Sequence, residues 1–444
     1  MNVPSIDSRL RVGMVAALGL GLAGQANASG FMIVEQSVHE VGRAISGATA
    51  GADNLGTLFF NPAGITRIEG TQGSAALHVI MPSAEFQGSG TTNIPASPGL
   101  PISGGNSETD EVGLVPNLYL VTDFDDRIKY GLGINAPFGL VTEYDPDWVG
   151  RYHAIRSELA SLNINPTVAY RVDDRLSLGF GLSAVYTDVE LTNAVDGVLA
   201  ATSLGFCPGL PVCAVPPGSG AADGLVRLEG NDWGFGFNLG LLYELDDATR
   251  VGVAYRSRID HTLEGESTTS VLGLQQVELI EADLTLPDTL SVGVVHRYGP
   301  RWAVLADVAW TNWSEFDELR VVSRTDGGTL LTQPENWDDT WRYSLGIEFS
   351  PDTAWTWRGG VAFDETPIPS AELRTPRVPG EDRTWLSLGF SWAPSEKLQV
   401  DFAYAHLFVD DSRIDNVDAS FGYTLTGEYE NSVDIVSAQL SYRF

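Results

Sequence analysis

The residues of this chain that could do chemistry are few and scattered. His39, His78, His153, His261, His296 and His406 lie far apart in the sequence, and none sits in a nucleophile motif such as Gly-x-Ser-x-Gly. That points away from an enzyme. Cys207 and Cys213 lie within CPGLPVC. Two cysteines this close in an exported chain read as one local disulfide, because two thiolates with no histidine beside them do not complete a tetrahedral zinc shell. No metal or cofactor is expected. Arginine is the natural partner of a carboxylate, and Arg156, Arg256 and Arg358 are candidates that strand alternation can turn inward; nothing in the sequence selects among them. The remaining signal is apolar. Leu204, Phe206 and Leu210, and then Val271, Leu272, Leu274, Val277 and Ile280, fall in segments that should be exposed loops. Apolar patches on a surface usually mark binding. The second group, 271–280, reads as a short amphipathic helix.

The elements around these residues read as strands. About fourteen candidates follow residue 70, at 71–80, 111–122, 127–136, 157–171, 175–190, 226–243, 249–261, 284–298, 301–313, 339–350, 353–364, 383–393, 396–408 and 429–444. In 396–408, Leu398, Val400, Phe402 and Tyr404 share one face, a period of two. A soluble sandwich would alternate in the same way, so loop lengths are the better guide. Every second connection is a tight turn, such as Asp123-Phe124-Asp125-Asp126, Val172-Asp173-Asp174 and Gly299-Pro300. The connections between them are long. Long loops on one side and short turns on the other are the asymmetry of outer-membrane barrels. Tyr130, Tyr170, Tyr243, Trp341 and Trp392 fall near strand ends, where membrane-boundary aromatics belong.

Composition agrees. The chain has 444 residues with 48 Gly and 11 Trp, and beyond the leader it lacks an apolar run of the roughly 18 residues that a membrane-spanning helix needs. Residues 1–28 read as a secretory signal peptide: Arg9 and Arg11, an apolar core from Val12 to Leu22, and Ala26-Asn27-Ala28 as the cleavage site. The net charge of −32 excludes nucleic acid as a partner, since that needs a basic footprint. Acidic loops are its simplest cause; divalent-cation bridging to an anionic outer leaflet is the sharper one.

The stretch from Ser29 to Ile68 differs from everything after it. Gly42, Gly47, Gly51, Gly56 and Gly64 punctuate it, small residues fill the gaps, and Phe31, Met32, Leu58, Phe59 and Phe60 make it too apolar for a loose tail. The order of Gly30-Phe31, Gly42-Arg43-Ala44, Ser46-Gly47, Ala52-Asp53 and Asn61-Pro62-Ala63 resembles the N-terminal hatch of the outer-membrane long-chain fatty acid and aromatic hydrocarbon transporter family. The likeness continues through Val115-Pro116, Tyr130-Gly131-Leu132-Gly133-Ile134-Asn135, Phe138 to Tyr144, and Asn163-Ile164-Asn165-Pro166, covering about residues 29–190. The final Leu440-Ser441-Tyr442-Arg443-Phe444 resembles the signal read by the barrel assembly machinery.

The resemblance implies an all-β transmembrane antiparallel barrel of about fourteen strands (69–444) plugged by a hatch (29–68), in the outer membrane of a Gram-negative bacterium. It implies a monomer among outer-membrane lipid and lipopolysaccharide that takes up hydrophobic compounds by binding them and releasing them sideways. A kink in the third strand near Tyr130, Gly131 and Gly133, beside Asn61, Pro62 and Ala63, would open the wall. Phe31 and Met32 would reach the ligand. Leu204, Phe206, Leu210, Leu272, Leu274 and Ile280 would form an external groove, with Cys207–Cys213 as a staple. The rivals are a water-filled porin for polar solutes, against which the hatch argues, and an adhesion barrel.

Overall fold

The computed structural model describes residues 30–94, 97–352, 354–418 and 422–444; the expected leader and Ser29 lie outside the described residues. Fourteen antiparallel strands close into a barrel. In chain order they are β1 (Gln72–Ile94), β2 (Gly113–Asp123), β3 in two pieces (Ile128–Asn135 and Gly139–Glu143), β4 (Arg156–Arg171), β5 (Leu176–Val195), β6 (Gly224–Glu244), β7 in two pieces (Thr249–Arg256 and Ile259–Val271), β8 in two pieces (Leu274–Leu286 and Thr289–Tyr298), β9 (Trp302–Thr311), β10 (Thr340–Phe349), β11 (Trp355–Asp364), β12 (Arg383–Ser395), β13 (Leu398–Val409) and β14 (Tyr423–Arg443). The barrel closes where β1 pairs with β14, from Gln72↔Arg443 to Thr92↔Tyr423. Closure pairs the first and last strands, so that no edge is left there in the membrane, where unpaired backbone would cost several kcal/mol per group.

Side-chain exposure decides between barrel and sandwich. On β4, Leu162, Ile164, Val168 and Tyr170 are exposed, whereas Asn163, Asn165 and Thr167 are buried. Apolar residues face out and polar ones face in, the reverse of a water-soluble sheet. The expected helix at 271–280 is instead the upper hairpin of β7 and β8, paired from Ile259↔Leu286 to Val271↔Leu274. Its turn falls at Leu272 and Gly273, both at positive φ. The barrel ladder simply continues outward, and β-branched Thr268, Thr269, Val271 and Val277 suit it better than a helix.

The hatch fills the barrel with three short helical pieces, Val38–Val41, Thr57–Phe60 and Pro62–Arg67. It seats against wall backbone that has no side chains. A Cβ on Gly179 of β5 would lie 2.2 Å from the Ala63 amide, and one on Gly360 of β11 would lie 2.1 Å from the Arg43 carbonyl. Arg43, fully buried, donates to Glu40 at 3.0 Å, Asp53 at 3.1 Å and Glu348 of β10 at 2.5 Å. Burial opposes its charge, but the three carboxylates raise its pKa further above the ordinary value.

Candidate functional site: an opening in the wall

The third strand breaks at Ala136-Pro137-Phe138. Its first piece pairs with β2 from Leu118↔Ile134 to Asp123↔Lys129 and with β4 from Ile128↔Tyr170 to Asn135↔Asn163. Its second piece pairs with β4 alone, from Gly139↔Ala160 to Glu143↔Arg156. Pro137 has no N–H to give a ladder and holds the residue before it extended. Gly113–Asn117 of β2 therefore carry no strand pairing toward Gly139–Glu143. The upper end is tied where the Glu143 amide donates to Thr109 Oγ1 at 2.9 Å.

The hatch satisfies the backbone groups that this break frees. Ile33 N donates to Pro137 O at 2.9 Å and Gly139 N to Phe31 O at 3.0 Å, and Gln36 Nε2 donates to Ala136 O at 2.7 Å. Buried backbone groups need partners, so the first hatch residues act as a short length of strand. A cavity of about 600 Å³ opens at the break, walled by Met32, Ile33, Leu114, Pro116, Leu140 and Leu162, with Glu35, Glu111, Glu158 and Arg383 as charged members. A second cavity of about 60 Å³ lies across Met32 and Ile33, walled by Phe59, Phe60, Arg256 and Arg342. Met32, Ile33 and Phe138 line both cavities, so this segment is the partition between them. Phe31 anchors it. Its ring meets Phe138, Trp313, Phe316 and Trp337 at centroid distances of 4.9–6.2 Å.

The break corrects the expected position of the kink. Tyr130, Gly131 and Gly133 lie in the regularly paired first piece of β3. Tyr130 faces outward. A Cβ on Gly131 or Gly133 would lie 2.6 or 3.0 Å from the Leu58 side chain, so these glycines admit the hatch rather than bend the strand. Of Asn61, Pro62 and Ala63, Pro62 lines the inner cavity together with Pro137 and Phe138 of the break, while the motif is anchored elsewhere on the wall. Asn61 caps the Pro62–Arg67 turn by accepting from Ala63 N at 3.1 Å, and its amide donates to Thr49 O at 2.7 Å and to Leu241 O of β6 at 3.0 Å. The motif is a knuckle docked on β5, β6 and β7.

Two of the three arginine candidates are already engaged. Arg156 pairs with Glu143 and, at 2.7 Å, with Glu158. Arg358 donates to Glu348 at 2.9 Å and to Ser391 at 2.6 Å. Arg256 lines the inner cavity, donating to Phe59 O at 2.8 Å with its guanidinium 4.2 Å from the Phe59 ring centre. Arg342 was missed, yet β10 signals it: Trp341, Tyr343, Leu345 and Ile347 are all exposed on the lipid side, so the alternate residue must point inward. His78 Nδ1 lies 2.8 Å from Ser437 Oγ and Nε2 lies 3.3 Å from Asn117 Oδ1. That line is fully buried and ties β14 to β1 and β2.

A further cavity of about 290 Å³ lies among the outer loops, walled by Val226, Leu228, Leu319, Leu330 and Leu331 with Arg377 at one side. Arg377 donates to Ser157 Oγ at 2.8 Å and His153 O at 3.0 Å, and burial pulls its pKa down to about 10, which leaves it charged at neutral pH. The expected groove residues are placed otherwise. Leu204, Phe206, Leu210 and Leu274 are exposed at loop tips, Leu272 forms the hairpin turn, and Ile280 is buried against Leu191, Leu228 and Val321. A disulfide joins Cys207 and Cys213 in that tip.

A closed barrel with a lipid-facing apolar belt, an internal plug and a break in its wall is an outer-membrane transport barrel. A family model described as outer membrane protein transport protein (OMPP1/FadL/TodX) matches residues 19–444, and the chain belongs to that family. It is 32% identical over 409 residues to the long-chain fatty acid transport protein of Escherichia coli K12, covering 86% of this chain and 88% of that one. It is 31% identical over 425 residues to outer membrane protein P1 of Haemophilus influenzae, covering 89% of each. A crystal structure of a Pseudomonas aeruginosa FadL homologue superposes with a TM-score of 0.83 at 25% identity, over 94% of this chain and all of that one. The Pseudomonas putida toluene transporter TodX shares the fold, with a TM-score of 0.68 at 18% identity over 95% of this chain and 99% of that one. The protein resides in the outer membrane of a Gram-negative bacterium.

Proposed function

We propose that this barrel takes up long-chain fatty acids and related hydrophobic compounds, and that they leave the binding region sideways, through the break between β2 and the second piece of β3. The observation that carries this reading is the apolar cavity of about 600 Å³ standing at that break. Backbone left unpaired inside a hydrocarbon layer is costly unless it lines a cavity or meets protein, so the opening has a purpose beyond closure. The outer-loop cavity would collect the compound. The segment Phe31–Ile33 would gate passage between the two inner cavities, with Phe31 and Met32 at the contact. Arg256 and Arg342, both half-buried at the inner cavity, favour a substrate with a carboxylate, for which arginine is the natural partner. On this reading the chain performs no catalytic step, works as a monomer among lipopolysaccharide, and is inserted by the barrel assembly machinery.

The test is mass spectrometry of small molecules that co-purify with the detergent-extracted protein, run beside single-channel conductance. Bound fatty acid with negligible conductance is expected. Steady ion conductance with no bound ligand would instead make the chain a water-filled porin.

A further inference from the structure

On the side of the barrel that carries the short turns, the seam between hatch and wall gathers charge that the uptake reading does not use. His39 of the hatch is buried, and neither of its ring nitrogens has a hydrogen-bond partner among the described residues. Its Nε2 stands 3.5 Å from Glu348 Oε1 and 3.8 Å from Asp53 Oδ1, while Nδ1 stands 3.9 Å from Asp401 Oδ1 of β13. The 3.8 and 3.9 Å separations are too long for hydrogen bonds, and 3.5 Å is at the limit of one. Ligands bonded at about 2.0–2.2 Å to a tetrahedral ion lie roughly 3.3–3.6 Å from one another. The donor atoms of His39, Asp53 and Glu348 all fall within 4.8 Å of each other.

We propose that His39 Nε2 and the carboxylates of Asp53 and Glu348 form a divalent transition-metal site, of the zinc type, that fastens the hatch to β10. Charge balance supports it. Glu40, Asp53, Glu348 and Asp401 bring four carboxylates to the seam. Arg43 and Arg358 bring two guanidiniums, which reach Glu40, Asp53 and Glu348. Two negative charges remain in a seam where Glu40 and Asp401 are buried and Asp53 and Glu348 are partly exposed, and an excess of that size is costly where it is buried. A divalent ion cancels it; at Glu348 it would bind Oε2, because Oε1 already accepts from Arg43 at 2.5 Å and from Arg358 at 2.9 Å.

The surroundings have the form of a supporting shell. Asp401 accepts from Gln399 at 2.9 Å and Gln439 at 3.2 Å, and from Ser391. Held there, its Oδ1 stands 3.9 Å from Nδ1, so the imidazole would present Nε2 to the ion and turn Nδ1 toward a carboxylate, the side on which metal-bound histidines are usually supported. Asn54 Nδ2 donates to Asp53 Oδ1 at 3.0 Å. The Asp53 and Glu348 side chains keep 23% and 14% of their surface exposed, which leaves a route for the ion and room for water as a fourth ligand. Nitrogen-plus-carboxylate donors suit zinc or manganese better than calcium or magnesium.

The full chain in detergent micelles, stripped with a chelator and titrated with Zn²⁺, tests this. About one zinc per chain is expected by elemental analysis after dialysis, and Co²⁺ in its place should show the absorption bands of a low-coordinate site. His39→Ala and Asp53→Asn should each weaken binding by at least about tenfold, while His406→Ala leaves it unchanged. Heat-modifiable migration on gels confirms that each variant is a folded barrel. Zn²⁺ should also slow hydrogen exchange of hatch amides between residues 38 and 53. No stoichiometric ion, or equal affinity in His39→Ala, would overturn the proposal. Neither result depends on what the barrel transports.

Discussion

The amide of Gly139 donates to the carbonyl of Phe31 at 3.0 Å, and this bond makes the hatch part of the wall. Together with the Met32↔Phe138 bridge, it puts a plug residue where a strand residue would stand. The partition between the two inner cavities is therefore built from backbone contacts that can be made and unmade. A neighbouring strand of the barrel could not yield in this way without opening the ladder.

Phe31→Ala should release that partition. Truncating a buried aromatic costs about 3–5 kcal/mol, and here the loss falls on a segment of a few residues. Hydrogen exchange at the Ile33 and Gly139 amides should rise at least about tenfold, given that 1.4 kcal/mol is a factor of ten. Amides in the middle of β4 should not change. Unaltered protection at Ile33 would mean that the rest of the hatch, not the aromatic box, holds the segment.

Gly179→Val addresses the seat of the plug. The added Cβ would lie 2.2 Å from Ala63 N and 2.3 Å from the Pro62 carbonyl carbon, and neither strand β5 nor the capped Pro62–Arg67 turn can yield that much. The barrel should still assemble, because the pairing of β5 with β4 and β6 does not involve the side chain. Ion conductance through the purified protein should appear where the native chain has little. A silent Gly179→Val channel would show that the hatch relocates without opening a water path.

Much of this arrangement was legible in the sequence. Period-two strands, alternating long and short connections and the hatch motifs led to the barrel, its strand number and its plug. The position of the break was not, because Gly131 and Gly133 look like a strand's weak points. Their role depends on Leu58, seventy-odd residues away, approaching from inside. Pro137 carried the true local signal. The loop hairpin at 259–286 was hidden for a different reason: Val271, Leu272, Leu274 and Val277 fit a helical stripe as well as a strand, and only the continuing ladder with β6 decides between them. The charged seam at His39 depends on residues from Glu40 to Asp401, which no local pattern links.

The inner cavity should tell an acid from a hydrocarbon. Arg342→Met removes a guanidinium that lines it and keeps most of the side chain's bulk. Binding of a long-chain fatty acid should weaken by about 1.5–3 kcal/mol, the usual worth of a charge-assisted hydrogen bond, while binding of an alkane of the same length stays within about twofold. Equal losses for both ligands, measured by displacement of a fluorescent fatty acid, would give Arg342 a packing role and exclude it as the carboxylate partner.

Glu35 should make opening of the hatch depend on pH. It lies in the wall of the larger cavity and is buried. Burial raises its pKa from 4.5 to about 7, against the opposing pull of Arg383 and Arg342. When the hatch opens, Glu35 reaches water and its pKa returns toward the ordinary value. The closed state therefore binds the proton more tightly, and its advantage is complete below about pH 4.5 and declines until the pH passes about 7. A difference of that size is worth roughly 3 kcal/mol. Hatch amides such as Val41, after division by their intrinsic exchange rates, should open more readily at pH 8 than at pH 5. Glu35→Gln cannot lose a proton, so it should be flat across that window and better protected than the native chain at pH 8. If native and variant proteins show the same pH profile, the carboxylate is solvated in the closed state and the pH dependence belongs to another group.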